Sequence, residues 1–172
     1  MQGFTTKRLK VRNWTDDLSD PARRRWVEQA LTGILTKPVL SHLPEPLALT
    51  GDEDAIATWV TERAGESDVF LIAERSGDTL IGLLLLAPGE TGPNGHDRHL
   101  GYLLKESAWG QGYATELVEG LIEALQPFGP YRLMGGVGTE NRASAHVLEK
   151  TGFRKSDALS TADTDIYVRQ LN

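Results

Sequence analysis

The sequence predicts an α/β protein of the α+β kind, folded as a single domain over residues 1–172. Period-two runs typical of half-buried strands are interleaved with stretches whose apolar residues recur every three or four positions, as on an amphipathic helix. The 172 residues, 40% of them hydrophobic, can bury one sizeable core and are too few for two. No internal repeat, low-complexity tract or linker divides them.

Leu9 and Val11 alternate with Arg8, Lys10 and Arg12, so the chain opens with a strand. Asp20 before Pro21 supplies an N-cap and a first-turn signal, and Trp26, Val27, Ala30, Leu31 and Ile34 follow at helical spacing. Arg23, Arg24 and Arg25 fall on the wet face of that first helix. After a loop marked by Pro38, Pro44 and Pro46, a second helix is expected from residue 52 to about 64. It carries Ile56, Trp59 and Val60 on one face, and Gly65 ends it. Residues 69–74 and 79–86 are β-favouring runs joined by the polar turn Arg75-Ser76-Gly77-Asp78, which suits an antiparallel hairpin. Residues 87–97, with Pro88, Gly89, Gly92, Pro93, Asn94 and Gly95, read as an irregular loop leading into a strand at 99–104. From 112 to about 125, Ala114, Leu117, Val118, Leu121 and Leu125 form one helical stripe. A strand at 132–137, a helix at 141–150, and two closing strands, one from Phe153 and one at 165–169, complete the order β-α-α-β-β-β-α-β-α-β-β. That is about seven strands and about four helices.

Composition removes several classes of function. The formal charge of −6, from 24 acidic and 18 basic residues, disfavours broad binding to nucleic acid or to an anionic membrane and suits amine-bearing partners better. The longest apolar run, at 80–87, is interrupted by Gly82 and far too short to span a bilayer. The opening MQGFTTKRLKVR has neither the apolar core nor the cleavage site of a secretory signal, so a cytoplasmic location is expected. With no cysteine there is no disulfide, no thiolate metal site and no cysteine nucleophile.

The most informative stretch is Leu100-Gly101-Tyr102-Leu103-Leu104-Lys105-Glu106-Ser107-Ala108-Trp109-Gly110-Gln111-Gly112-Tyr113-Ala114-Thr115-Glu116. A strand runs into a glycine-rich turn and then a helix. Gly110 and Gly112 let backbone N–H groups converge, and the new helix adds unpaired N–H groups and the positive end of its dipole, which together make an anion cradle. On its own, a glycine pair before a helix is also an ordinary tight connection.

Trp-Gly-Gln-Gly-Tyr-Ala-Thr-Glu after a Gly-Tyr-x-Leu strand resembles the pyrophosphate-binding motif of the GNAT N-acetyltransferase superfamily, in the form found in the ribosomal-protein N-terminal acetyltransferase (RimJ/RimL-like) branch. The downstream stretch from Gly138 through Asn141, Ser144, Glu149 and Lys150 to Gly152-Phe153 is similar to that branch's second signature, Asn-x-x-Ser with a Glu-Lys-x-Gly-Phe ending. Thr6-Lys7-Arg8-Leu9-Lys10-Val11-Arg12 resembles its opening strand, and Leu43-Pro44-Glu45-Pro46 its loop after the first helix.

The resemblance implies a GNAT-like mixed sheet whose strands splay at the cofactor site, with acetyl-coenzyme A as cosubstrate and no metal. Tyr102, Leu103 and Leu104 would pair their backbone with the pantetheine arm. Trp109, Gly110, Gln111, Gly112, Tyr113, Ala114 and Thr115 would hold the pyrophosphate. Asn141 would hydrogen-bond the pantetheine region, and Ser144 would face the thioester sulfur. Many superfamily members carry Arg or Gln where Trp109 stands, so the cradle lacks a charged side chain; the related branch often has Trp there, so Trp109 reads as a mark of that branch, or as a residue that packs the loop.

Acyl transfer to an amine requires a neutral nitrogen, a stabilised oxyanion and a protonated leaving thiolate. Lacking a cysteine or a serine in a nucleophile-elbow setting, the chain is expected to transfer acetyl directly within a ternary complex. A strand-end N–H near Leu103 or Leu104 is the expected oxyanion donor. The tyrosine that other members use in the last helix is replaced by Leu148, which leaves Ser144 to protonate the thiolate, or to be an ordinary helix serine. His146, two residues on, is assigned to a different face. His99 leads the candidates for general base, ahead of Glu74, Asp97 and His96. Acceptor choice is assigned to the early helices and the loops at 43–46 and 87–97. Trp14, Trp26 and Trp59 are candidates for that side, with Trp26 and Trp59, at helical positions, expected to fill core. The acceptor is read as a peptide N-terminal amine, with a small-molecule amine or a non-catalytic coenzyme A-binding regulator as alternatives. The resemblance allows a homodimer, which no sequence feature demonstrates.

Overall fold

In the computed structural model the chain runs β1 (Gly3–Thr5), β2 (Leu9–Asn13), α1 (Thr15–Ser19), α2 (Pro21–Ile34), α3 (Lys37–Leu40), α4 (Ala55–Glu66), β3 (Asp68–Glu74), β4 (Leu80–Gly92), β5 (Gly95–Leu104), α5 (Tyr113–Leu125), β6 (Tyr131–Gly138), α6 (Arg142–Lys150), β7 (Arg154–Lys155) and β8 (Thr164–Leu171). The structure describes residues 1, 3–43, 47–49, 54–92 and 95–172. The expected loop residues Pro44, Glu45 and Pro46, the helix start at Asp52, and Pro93 and Asn94 lie outside the described residues.

The strands form one mixed sheet in the order β1-β2-β3-β4-β5-β6-β8-β7. Every neighbouring pair is antiparallel except β5 with β6, which run parallel from His96↔Tyr131 to Leu100↔Gly135. Beyond that point β5 continues to Leu104 and β6 to Gly138 with no ladder between them. This is the splay that the resemblance implies.

Alternation along the strands divides the core in two. Leu84, Leu86, Leu100 and Leu104 pack on the α5 and α6 side with Leu117, Leu121 and Leu148. Leu83, Leu85 and Leu103 face α2 and α4, against Val27, Leu31, Trp59 and Val60. Each fully buried aliphatic side chain contributes about 1.5–3 kcal/mol of transfer free energy, which fixes the helices onto both faces.

Several elements follow their sequence signals closely. The Asp20 carboxylate accepts from the N–H groups of Ala22 and Arg23 at 2.8 and 2.9 Å, capping α2, and Pro21 occupies its first turn. These two backbone bonds, the Arg23 bond foremost, hold the Asp20 pKa below its ordinary value. Arg23 and Arg25 are exposed as expected, while Arg24 bonds Glu28 and Thr61.

Other expectations need correction. Of the expected irregular loop at 87–97, residues 87–92 belong to β4 and 95–97 to β5, with Ala87↔His99, Pro88↔Arg98 and Thr91↔His96 paired across a register shift. Pro88 lacks the N–H a regular ladder requires, so the Pro-Gly signal marks a β-bulge in a long hairpin. Gly65 does not end the second helix, which continues to Glu66 and closes with the Ser67 N–H on the Arg63 carbonyl. Trp26 is 43% exposed, whereas Trp59 and Trp14 are buried in the α2 and α4 core. Val27, Leu31 and Ile34 form the buried stripe of α2, and Trp26 sits one position off it. The strand β1 and the helices α1 and α3 are too short for periodicity to reveal.

Candidate active site

A cavity of about 600 Å³ opens where β5 and β6 part. On one side its wall is the free end of β5, the turn at 109–115 and the outer face of α6; on the other it reaches β4 and the end of α4. Of the residues singled out from sequence, Tyr102, Leu103, Leu104, Trp109, Gly110, Gly112, Tyr113, Ala114, Thr115, Asn141, Ser144 and His99 all line it. Gln111 does not: its side-chain amide donates to the Ser107 carbonyl at 2.6 Å, and its own carbonyl accepts from Arg8.

The turn meets the requirements of an anion cradle. Gly110 and Gly112 adopt left-handed φ values of +70° and +77°, a conformation that costs an L-residue about 1–2 kcal/mol. No backbone N–H from Gly110 through Thr115 donates to an acceptor among the described residues, and the first intrahelical bond is Glu116 N–H to the Gly112 carbonyl. Converging unpaired donors at the positive end of a 13-residue helix fit a pyrophosphate group. The Trp109 indole N–H donates to the Leu104 carbonyl at 2.8 Å, tying the turn to the end of β5, and the ring meets His42 edge-on with centroids 5.8 Å apart.

Asn141 caps α6 through its side-chain oxygen, which accepts from the Ser144 N–H at 3.1 Å. This leaves its amide N–H groups free to donate. Ser144, one turn into the helix, is half-buried. Nearby, the Tyr102 hydroxyl is sealed from solvent and has no hydrogen bond of normal geometry among the described residues. Burial pushes the Tyr102 pKa up, and the neighbouring Ser144 side chain partly offsets that. Leu148 is buried in the core, so packing occupies the position where other members carry a tyrosine.

Of the four residues considered as base, His99 alone lines the cavity. It is exposed and lies on the α4-facing side of β5, opposite Leu100 and Tyr102. Asp97 is buried and bonded by both arms of Arg132; that bond holds its carboxyl below the ordinary range against the opposing effect of burial. Glu74 accepts from the Tyr113 hydroxyl at 2.6 Å, and His96 bonds Thr91. His146 also lines the cavity: α6 presents enough of its outer surface to include it beside Ser144.

Sequence reasoning missed Arg63. It is 3% exposed, lines the cavity and pairs with Glu66 at 2.9 Å and Glu62 at 3.5 Å, with its guanidinium 5.6 Å from the centroid of the Trp59 ring. Its spacing of four residues from Trp59 was the available signal. Among the described residues no group of three His, Asp or Glu side chains could hold a metal ion, and no helix is long and apolar enough to cross a membrane.

Residues 8–154 match the family model described as the acetyltransferase (GNAT) domain. The chain belongs to the GNAT acetyltransferase family. It is therefore an acyltransferase with acetyl-coenzyme A as its donor, and the unpaired N–H groups of its glycine turn are the feature suited to that donor's pyrophosphate. No curated protein matches this GNAT chain. Solved structures with a similar fold include the RimL ribosomal L7/L12 α-N-protein acetyltransferase in complex with coenzyme A, at 19% identity over 97% of each chain and a TM-score of 0.71. Spermidine N-acetyltransferase from Vibrio cholerae, in complex with coenzyme A and spermine, is similar at 15% identity over 95% of each chain, TM-score 0.70. The ribosomal-protein-S5-alanine acetyltransferase from Vibrio fischeri is similar at 16% identity, covering 99% of this chain and 97% of its own, TM-score 0.68.

Proposed function

We propose that residues 1–172 form one N-acetyltransferase domain that passes acetyl directly from acetyl-coenzyme A to the primary amine of a protein or peptide N-terminus, in the manner of the RimJ/RimL-like branch. The observation supporting this acceptor is the α4-side wall of the cavity. Val39, Leu43, Leu47, Leu85, Ala87 and Met134 make it largely apolar, and its buried cation, Arg63, balances the carboxylate of Glu66. A peptide terminus brings one ammonium and an adjoining side chain that such a wall can bury. A polyamine or aminoglycoside brings several cations, whereas among the described residues Glu66 is the one carboxylate that lines the cavity.

When bound, the donor supplies an activated thioester and a thiol leaving group. The backbone of Trp109, Gly110, Gln111, Gly112, Tyr113, Ala114 and Thr115 holds its pyrophosphate, and the unpaired edge of β5 at Tyr102, Leu103 and Leu104 takes the pantetheine arm as a strand would. The free amide N–H groups of Asn141 donate to that arm. The N–H of Leu104, on the free edge of β5, stabilises charge developing on the thioester oxygen; that of Leu103 faces β4, as the Lys105 N–H does in donating to the Ile81 carbonyl. The Ser144 hydroxyl shares its proton with the departing thiolate, whose pKa is near 8.5. His99, in the same cavity on the acceptor side, accepts the amine proton directly or through water.

The test is release of free thiol from acetyl-coenzyme A with N-terminal peptides, amino acids, polyamines and aminoglycosides as acceptors. Turnover with peptides above all is expected. Turnover confined to polyamines or aminoglycosides would overturn the acceptor assignment, and tight donor binding without turnover on any amine would favour a regulator.

A further inference from the structure

Arg8 stands outside the cavity wall, yet its side chain reaches the glycine turn at Gln111 and Tyr113. The β1–β2 hairpin leans on α5 at Gly120, where a Cβ would lie 2.5 Å from Thr6 Cγ2 and 2.9 Å from Phe4 Cε2. That close approach brings Thr6 and Arg8 to the first turn of the helix. Glu116 accepts from Thr6 Oγ1 at 2.5 Å, from the Arg8 backbone N–H at 2.7 Å and from Arg8 Nε at 2.6 Å. Arg8 Nη1 donates to the Gln111 carbonyl at 2.9 Å, and the guanidinium carbon lies 4.4 Å from the centroid of the Tyr113 ring.

Two consequences follow for the turn. In a trans peptide the carbonyl and the next N–H point in opposite directions, and the described chain contains no cis bond. Holding the Gln111 carbonyl therefore aims the Gly112 N–H away from Arg8, in a turn whose Gly112 lines the cavity. The second consequence is electrostatic. A bare carboxylate on the first helical turn repels a bound phosphate, and Arg8 neutralises Glu116 at that spot. The charged side chain that Trp109 does not provide thus reaches the turn from the other end of the chain.

We infer that Arg8 is a positioning residue for the donor: by holding the Gln111 carbonyl and cancelling the Glu116 charge, it sets the phosphate turn in its binding conformation. The inference rests on the reading that this turn holds the pyrophosphate of acetyl-coenzyme A.

The experiment is calorimetry on the free enzyme with coenzyme A and, separately, with pantetheine, which has no pyrophosphate. Wild type, Arg8→Met, Arg8→Lys and Gly112→Asp are compared, each with its melting temperature. Arg8→Met should raise the Kd for coenzyme A about tenfold, the loss of one hydrogen bond to a charged group, and leave that for pantetheine unchanged. Arg8→Lys, which keeps the charge, should recover part of the loss. Unchanged coenzyme A affinity in Arg8→Met, with binding lost in Gly112→Asp, would overturn the role of Arg8 alone. So would equal weakening of both ligands accompanied by a fall in melting temperature, which marks a purely structural residue. Wild-type coenzyme A affinity in Gly112→Asp would instead overturn the phosphate-turn reading beneath it.

Discussion

Ser144 occupies a position where a small hydroxyl can serve chemistry or merely solvate a helix. Its N–H is taken by the Asn141 cap, and its side chain lines the cavity beside the buried Tyr102 hydroxyl. Ser144→Ala removes one oxygen and leaves the cap intact. It should lower kcat on the order of 100-fold, the usual scale for losing a proton-transfer group, and leave donor affinity unchanged. Steady-state kinetics beside calorimetry separates the two, and an unchanged kcat would return Ser144 to a structural part. At this scale the sequence was informative wherever a residue type carries its own chemistry or conformation, as with Gly110, Gly112, Asn141 and Asp20. Where a role depends on a distant partner it was silent. Asp97 was open as a base until Arg132, 35 positions away, was found to hold both its oxygens.

The clasp between the β1–β2 hairpin and α5 couples two elements through Glu116. Burial alone would push the Glu116 pKa up, but the hydrogen bonds from Thr6 and Arg8, with the charge of Arg8, bring it below its ordinary value. A depressed carboxylate contributes stability that is complete above its unfolded pKa of about 4.3 and is lost as pH falls through the lower folded value. Wild type should therefore be more stable than Glu116→Gln near neutrality, and the gap should close below about pH 4. Urea unfolding of both proteins across that range checks this; a gap independent of pH would remove the charged clasp from the explanation. The order of the longer elements, the starts of α2, α5 and α6 and the splay followed from periodicity, capping and the family resemblance. The hairpin at 80–104 did not, because proline and glycine mark bulges as readily as loops, and register only becomes visible when both strands are in place.

Across the whole molecule, the cavity at the β5–β6 splay is lined from both faces of the sheet, and the proposed function assigns one face to the donor and the other to the acceptor. The turn and α6 flank one side of that opening, while His99, Met134 and the end of α4 lie toward the other. The glycine turn proposed for the donor was legible because its left-handed backbone at Gly110 and Gly112 selects glycine. The acceptor side was not, since its wall is assembled from α3, α4, β4 and β6, and its most buried charge, Arg63, lies in a helix read from sequence only for its apolar face. Direct transfer between the two sides is best examined by intact-mass spectrometry of enzyme and acceptor peptide, first with acetyl-coenzyme A alone and then with the peptide added. Direct transfer to a peptide N-terminus requires an enzyme of unchanged mass throughout and one acetyl group on the peptide α-amine; a stable acetyl-enzyme formed before the peptide arrives would contradict the direct step, and acetyl on peptide lysines with the α-amine free would contradict the acceptor.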